Sequence, residues 1–212
     1  MSLDATKIDF TNISTTVPTG LSPDDPELIT LRPATAADAA ALALVGAATF
    51  LEAFTWMIPG ADIIAHCARH HTPEAYAHYL ALPTTRITLA VTGIDAPVGF
   101  SMVTTPDLPT LETLPTDVEL KRIYLLSRFR SATTPVVGQP GVRAGHALMN
   151  AAIASAQELG ASRLLLGVNA GNERALNFYR RNQFEVVGTR TFQVGSQTCS
   201  DLLFARRIEP LA

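Results

Sequence analysis

The stretch GQPGVRAGHALMNAAI (residues 138–153) places three glycines before and within the start of a run of helical character. Glycines in front of a helix can let backbone amides close around a phosphate. Glycine and proline are also the commonest residues of plain turns. The stretch therefore predicts a phosphate-binding loop, an altered one, or an ordinary loop, and the rest of the sequence must distinguish them.

Downstream of this loop the apolar pattern alternates between helix and strand. Helical spacing continues to Leu159, and Gly160 ends the helix. SRLLLGV (162–168) is a short, nearly all-apolar strand, as expected in the middle of a sheet covered on both faces. Asn172 is the N-cap of a further helix, NERALNFYRRNQF, and the segments FEVVGTRTFQV and SDLLFARRI follow as two strands.

Upstream of the loop the order is strand, helices and three strands. The alternation in ITLRPAT predicts a strand from Ile29 to about Pro33, and Thr35 caps a helix over Ala36–Phe54 in which Gly46 is a soft spot. Two more helical segments follow, ADIIAHCARH and TPEAYAHYLAL. From Arg86 the period changes to two, which predicts a hairpin of RITLAVTG and APVGFSMVTT.

The next strand is VELKRIYLLSRF (118–129), whose alternation separates two faces. One face carries Val118, Leu120, Arg122 and Tyr124, and the other carries Glu119, Lys121, Ile123 and Leu125. The fold class is therefore α+β to α/β, without internal repeats.

Length and composition limit the classes of protein. The chain of 212 residues is long enough for one sizeable domain, which we assign to 29–212 after a polar, proline-containing flexible arm over 1–28. Net charge is −3 and no basic run occurs, which argues against a nucleic-acid partner. The arm does not have the pattern of a signal peptide, and no run of about 18 apolar residues suggests a membrane span. Cys67 and Cys199 are expected to be reduced thiols in a cytoplasmic protein.

In this order, three stretches resemble the GNAT superfamily of N-acetyltransferases: VELKRIYLLSRF, GVRAGHALMNAAIASAQELGASRLLLGV and NAGNERALNFYRRNQFEVVGT. The last strands, together with Thr49, Phe50 and Phe54, are most similar to the polyamine (spermidine/spermine) acetylating branch. The resemblance covers about 29–208. It implies an α+β GNAT fold, a mixed twisted sheet with helices on both faces and a splayed acyl-CoA gap between the strands at 118–128 and 162–168.

The resemblance also implies the chemistry. Acetyl-CoA is the co-substrate, and a primary amine, either a small amine or polyamine or a peptide N-terminus, attacks it directly in a ternary complex. Tyr179 matches the tyrosine that protonates the leaving thiolate, and Glu119 matches a carboxylate that draws a proton from the amine, often through water. The residues implied in CoA binding are Ile123, Tyr124, Leu125, Gly141, Val142, Arg143, Ala144, Gly145, His146 and Asn172. A homodimer is compatible with the resemblance.

The sequence departs from the family pattern in the loop. The pattern is Arg or Gln, two residues, Gly, one residue, then Gly or Ala, and Gly145 matches its last position. Arg143 then replaces the earlier glycine, and either Pro140 or Arg130 takes the lead position. Residues 131–140 are inserted and are expected to give the loop slack. Gln183 stands where a glycine usually precedes the phenylalanine that follows the last helix.

Arg143 keeps the backbone amide that contacts a phosphate. Its Cβ is costly only where the residue needs a positive φ or lies against the phosphate. Its guanidinium is also suited to bidentate phosphate contact, which compensates for the lost glycine. The prediction is a modified phosphate-binding loop.

Each candidate residue also has an ordinary structural interpretation. Tyr179 can be a core tyrosine, Glu119 a solvated strand residue and Asn172 a helix N-cap. Arg190 and Asp201 are expected to be surface charges near the last strands, with substrate contact left open.

Two further hypotheses concern metal and catalysis. His66 and His70 share a helix face beside Cys67 and His71, but no third ligand follows at a recognisable spacing, so no metal site is predicted. Arg143, Gln183 and the insertion also favour a second hypothesis, a non-catalytic acyl-CoA-binding or partner-binding relative.

Overall fold

The structure is a computed structural model that describes residues 27–130, 134–194 and 196–210. All but the last two residues of the proposed arm lie outside this part. The strands are β1 (Ile29–Pro33), β2 (Arg86–Thr92), β3 (Pro97–Thr104), β4 (Asp117–Leu125), β5 (Arg163–Asn169), β6 (Glu185–Val194) and β7 (Gln197–Arg207). The helices are α1 (Ala39–Phe54), α2 (Gly60–His70), α3 (Pro73–Ala81), α4 (Ser127–Arg130), α5 (Ala144–Glu158) and α6 (Glu173–Arg181).

The strands form one mixed sheet in the order β1-β2-β3-β4-β5-β7-β6. Only β4 and β5 pair in parallel, and every other neighbouring pair is antiparallel. Helices α5 and α6 pack on one face through Met149, Leu176 and Tyr179. Helices α1 and α3 pack on the other through Leu42 and Tyr76. The predicted α+β class, a mixed sheet with helices on both faces, is confirmed.

The two parallel strands separate soon after they meet. Their register covers only Asp117 to Glu119 of β4 against Arg163 to Leu165 of β5. Beyond these positions β4 has a partner on its β3 side alone. The splayed gap expected between these strands is therefore present.

Strand β4 differs from the prediction in two ways. It ends at Leu125, because residues 127–130 turn into the short helix α4 rather than continuing the strand to Phe129. It also contains a β-bulge, since Met102 of β3 pairs with Arg122 and Val103 with Leu120, which leaves Lys121 without a partner. A bulge reverses the alternation of faces.

The consequence of the bulge is a different pair of faces. Leu120 and Ile123 both pack with the α5 side of the core, whereas Tyr124 packs with the α1 side. Arg122 also lies on the α1 side, against the rings of Tyr76 and Tyr79. The predicted grouping of Leu120 with Arg122 and Tyr124 was wrong, because strict alternation cannot register an extra residue.

The inserted segment is not slack where the structure describes it. The carbonyl of Pro135 accepts from the amide of Ile29 at 3.0 Å, and the amide of Val137 donates to the carbonyl of Ile29 at 2.9 Å. Val136 is buried in the core next to α5. The insertion thus pairs with the free edge of β1, and its first three residues, 131–133, lie outside the described residues.

Helix α1 begins with a 3-10 turn at Ala36–Asp38. Asp38 accepts from the amide of Thr35 at 2.7 Å and from both Nη atoms of Arg32 at 2.8 Å, which fixes this start. The stretch Ala36–Phe54 is apolar and long enough to cross a membrane by length and composition alone. Here its buried positions pack against the sheet, as those of a core helix do.

Candidate acyl-transfer site

The open edge of β4 supplies backbone groups to the gap. Leu126 donates its amide to Val98 of β3 at 2.9 Å, so the alternate residues Ile123 and Leu125 direct their backbone groups away from β3 and toward the gap. The backbone of Tyr124 faces β3, and its side chain packs against the core on the α1 side of the sheet. Of the three predicted strand residues, two therefore face the gap with their backbone.

Arg130 lies at this edge. Its Nε donates to the carbonyl of Leu125 at 2.7 Å, and its Nη2 lies 3.1 Å from Glu52 of α1. Between Arg130 and Pro140, the two candidates for the lead position of the loop, Arg130 is the one held at the gap. The carbonyl of Leu125 already has a donor, which leaves Ile123 and the amide of Leu125 for a ligand.

The loop before α5 leaves amides free for an anion. Arg143 is the N-cap, and it places no side-chain hydrogen bond on the helix start, since a guanidinium cannot accept one. Its carbonyl accepts from His146 and Ala147. Among the described residues, the amides of Ala144 and Gly145 have no backbone acceptor. Such unsatisfied amides at the positive end of a helix form an anion-binding site.

The φ angles of Arg143 and Gly141 show how the loop accommodates an arginine. Arg143 has φ −75°, so the arginine is accommodated without strain. Gly141 has φ +75°, a conformation that favours glycine. A Cβ on Gly145 would meet nothing within 4 Å. Open space in front of the helix start is what a phosphate approaching these amides requires.

Positive charge surrounds the loop. Burial lowers the pKa of His146, and the charges of Arg143 and Arg181 lower it further. Burial likewise lowers the pKa of Arg130; the carboxylate of Glu52 raises it, and the charge of Arg174 lowers it. Arginines from the loop, from α4 and from α6 therefore lie around the start of α5, where they favour a polyanionic ligand.

Tyr179 lies on the buried face of α6, among Phe184 and Phe204. Burial raises its pKa, and the proximity of Tyr124 raises it further. Tyr124 belongs to β4 and Tyr179 to α6, and the two side chains are close enough to interact electrostatically. Tyr179 is thus a core residue as well as a candidate acid, and it is protonated at neutral pH.

Glu119 is buried, with 4% of its surface exposed, so the solvated interpretation was wrong. Its Oε2 accepts from the amide of Asp107 at 2.8 Å and lies 3.6 Å from Nζ of Lys121. These contacts involve Oε2 and leave Oε1 outside them. Because of the bulge, Glu119 lies on the same face of the sheet as Arg122.

Asn172 has the ordinary structural role. The side chain of Asn172 accepts from the amide of Ala175 at 3.1 Å, which makes it an N-cap, and its NH₂ group is not used in that contact.

Among the described residues no cluster of three or more metal-ligating side chains occurs. His66 stacks on Phe50 with ring centroids 4.1 Å apart, and burial lowers its pKa to about 4.

Arg190 and Asp201 are not the surface charges expected from the sequence. Asp201 is 3% exposed, and its Oδ2 lies 3.0 Å from Nη2 of Arg190. The pair lies over Gly167 of β5, where a Cβ would be 2.9 Å from the guanidinium. Burial raises the pKa of Asp201, while the hydrogen bond from Arg190 lowers it. Gly167 therefore makes room for a buried ion pair.

A polar cluster on the α1 side was missed by sequence reasoning. Arg122 is 9% exposed and lies 5.2 Å and 5.4 Å from the ring centroids of Tyr76 and Tyr79. Nδ1 of His71 lies 2.9 Å from the hydroxyl of Tyr76. The available signal was an arginine at a position that strict alternation groups with Val118, Leu120 and Tyr124.

Comparisons with known proteins agree with this arrangement. Residues 141–184 match the model of the acetyltransferase (GNAT) family. N-acetyltransferases of Mycobacterium tuberculosis and Mycobacterium bovis are each 33% identical over 171 residues, which is 81% of this chain and 98% of the relative.

Solved structures share the fold. The PaiA N-acetyltransferase of Thermoplasma acidophilum in complex with coenzyme A has a TM-score of 0.65 at 16% identity, over 84% of this chain and 98% of that one. YncA of Salmonella typhimurium with acetyl-CoA has a TM-score of 0.57 at 16% identity, over 87% and 96%. From the family model and the mycobacterial relatives we conclude that this chain belongs to the GNAT family of acetyltransferases.

Proposed function

We propose that the protein transfers an acetyl group from acetyl-CoA to a primary amine. The acetyl donor is acetyl-CoA, in line with the structural relatives that hold coenzyme A or acetyl-CoA. The observation that carries the proposal is the open gap between β4 and β5 beside the unsatisfied amides of Ala144 and Gly145. The gap suits the extended pantetheine chain of CoA, and the amides at the helix start suit the pyrophosphate of CoA.

The residues divide the work of binding. The amides at 144 and 145, with the guanidinium of Arg143, hold the pyrophosphate. Backbone groups of Ile123 and Leu125 pair with the pantetheine, and one such amide faces the oxygen that becomes negative during attack. Holding both substrates in one gap makes the reaction effectively unimolecular, which lowers the barrier substantially.

The chemical step is a direct displacement. The amine nitrogen bonds to the thioester carbonyl carbon, and the carbon–sulfur bond then breaks. Glu119 takes the proton released by the amine, directly or through one water, and Tyr179 gives a proton to the leaving thiolate. Burial raises the pKa of Tyr179. The same dry surroundings raise the pKa of the thiol that is formed, so the transfer remains balanced.

The acceptor class is a primary amine, either a small amine of the polyamine type or a peptide N-terminus. The similarity of the last strands and of Thr49, Phe50 and Phe54 to polyamine-acetylating enzymes supports the small amine. A single domain over 29–212 and a cytoplasmic location stay predictions, as does a homodimer.

The second candidate function is a non-catalytic acyl-CoA-binding relative. It was favoured by Arg143, but Arg143 fits its backbone conformation without strain. Gln183, with φ +64°, and the insertion at 131–140 are the remaining departures that favour it. Gln183 directly follows the C-cap of α6, Asn182.

Measuring thiol release tests the proposal. Acetyl-CoA is incubated with the protein and a panel of primary amines that includes spermidine, amino acids and short peptides, with a tertiary amine as the chemical control. Thiol release that requires both acetyl-CoA and a primary amine is expected. Stabilisation by acetyl-CoA with no turnover on the panel would support the non-catalytic relative instead.

A further inference from the structure

Arg122 carries a buried positive charge without a counter-ion. It is 9% exposed, and among the described residues no carboxylate lies within ion-pair distance of it. Its Nη1 is buried without a hydrogen-bond partner, and its Nη2 reaches the carbonyl of His70 only at 3.5 Å. An unpaired buried charge is strongly unfavourable, so proteins pair such groups or use them to bind a ligand.

The neighbouring carboxylates are already engaged. Glu119 is held by Lys121 and by the amide of Asp107, and Asp201 is paired with Arg190. Both of these carboxylates thus have cationic partners. Arg122 packs against the rings of Tyr76 and Tyr79 but, among the described residues, has no carboxylate within ion-pair distance.

A second unsatisfied group lies beside Arg122. Nε2 of His71 is also buried without a partner, while its Nδ1 lies 2.9 Å from the hydroxyl of Tyr76. Burial and the charge of Arg122 lower the pKa of His71 to about 3, so the ring is neutral. If Tyr76 donates to Nδ1, Nε2 carries the hydrogen and is a second donor. Both side chains contact Tyr76, which places the two unsatisfied groups in one cluster.

The position of Arg122 relates this cluster to the reaction. It follows the bulge at Lys121 and precedes Ile123, the residue whose backbone faces the gap. Its side chain lies on the same face of the sheet as Glu119. An acceptor whose amine is near Glu119 can therefore extend toward Arg122.

From this we infer that Arg122 binds a carboxylate of the acceptor, so that the acceptor is an amine bearing a carboxylate, as an amino acid does. The inference rests on the proposed acetyltransferase function and favours a carboxylate-bearing amine over the polyamine-type acceptor. A guanidinium binds a carboxylate through two parallel hydrogen bonds and discriminates against an amide or an uncharged analogue. A polyamine has no carboxylate and adds positive charge near Arg122.

The experiment compares each L-amino acid with its own primary amide, and lysine with cadaverine, in the thiol-release assay. The amine of an amide is less basic and more of it is unprotonated, so this comparison is biased against the inference. We expect kcat/KM to favour the acid over its amide by about 10- to 100-fold. Equal rates for acid and amide, or spermidine as the best acceptor, would overturn the inference.

Variants test the residue itself. In Arg122→Met the ratio of acid to amide should fall to near one, and in Arg122→Lys it should be intermediate because the charge stays but the fork is lost. Arg86→Met, which removes a guanidinium from β2, should keep the wild-type ratio. An unchanged ratio of acid to amide in Arg122→Met would show that another group binds the carboxylate.

Binding separates this inference from the proposed function. N-acetylamino acids, the expected products, should raise the Tm of the wild-type protein in the presence of CoA, whereas N-acetylamino acid amides should not. The Tm shift does not depend on turnover. A protein that is inactive in the thiol-release assay but is stabilised only by the acid would contradict the proposed function and support the carboxylate site. Equal stabilisation by acid and amide contradicts the site whether or not turnover is seen.

Discussion

The Nδ1 atom of His71 and the hydroxyl of Tyr76 form a 2.9 Å hydrogen bond directly against Gly46 of α1. A Cβ at Gly46 would clash with both groups. The sequence indicated only a soft spot in the helix at this position. Its actual role is to let α1 approach a buried polar pair on the α1 side of the sheet.

Replacing Gly46 by alanine should therefore destabilise the protein, although alanine is the better helix former. Overpacking of this kind costs about 1–3 kcal/mol in the free energy of unfolding. Gly60→Ala is the matched control, because a Cβ there meets nothing within 4 Å. Denaturant unfolding of both variants measures the difference, and a Gly46→Ala protein as stable as Gly60→Ala would refute the packing argument.

His71 should make stability depend on pH. Its folded pKa is lowered to about 3 by burial first and by the charge of Arg122 second, whereas the unfolded value is about 6.5. Between these values the unfolded state binds more protons, so stability is lost as pH falls below about 6.5. At pH 5 the loss from this group alone is about 2 kcal/mol.

Urea unfolding from pH 7.5 to pH 5 checks this expectation. The lowered carboxylate pKa values of Asp38 and Asp117 act only at more acidic pH, so they do not obscure this window. His66 contributes a slope of the same sign, since its pKa is lowered to about 4. In His71→Gln the slope should become smaller, and an unchanged slope would mean that His71 does not titrate as described.

Gln183 adopts a backbone conformation that suits glycine. Its φ is +64°, which costs a side chain about 1–2 kcal/mol, whereas glycine has no such penalty but loses more entropy on folding. Gln183→Gly should thus raise the free energy of unfolding by up to about 1 kcal/mol. Gly160, with φ +68°, is the converse control, and Gly160→Ala should destabilise. Lower stability of Gln183→Gly would contradict the assignment of strain.

Part of this architecture could be predicted from the sequence. The order of the elements followed from local periodicity, which depends on residues near each other in the chain. The mixed sheet, the gap and the special position of Gln183 followed from the resemblance to the GNAT family. The loop that we propose to bind phosphate was identified from Gly145 and the helix behind it.

Long-range features could not be predicted. The bulge at Lys121 depends on pairing with β3, and only that pairing places Arg122 on the same face as Glu119. The pairing of Val137 with Ile29 joins residues far apart in the chain, so the insertion could be mistaken for slack. The buried Arg190–Asp201 pair likewise needs Gly167 of another strand to be recognised.

Tyr179 is the residue that the proposed mechanism needs as proton donor. Tyr179→Phe should lower kcat by about 10²-fold or more and leave acetyl-CoA affinity nearly unchanged, because only the transition state loses the donor. Measuring kcat and the dissociation constant separately distinguishes this from a packing role. Full activity in Tyr179→Phe would make the tyrosine a core residue alone.

The central claim is that the start of α5, with Arg143, holds the phosphates of acetyl-CoA. Arg143→Ala retains the backbone amide and removes the guanidinium, so it should weaken binding by about tenfold or more and flatten the salt dependence of affinity. Arg143→Gly should weaken binding in the same way. Tighter binding in Arg143→Gly would mean that the arginine obstructs the loop rather than assisting it.

Calorimetric titration of the wild-type protein with acetyl-CoA and with acetyl-pantetheine, which lacks the phosphates, tests this claim most directly. If the amides at 144 and 145 and the surrounding arginines hold the pyrophosphate, acetyl-CoA should bind and acetyl-pantetheine should bind much more weakly. Equal affinity for the two compounds, or no binding of acetyl-CoA at millimolar concentration, would contradict the account.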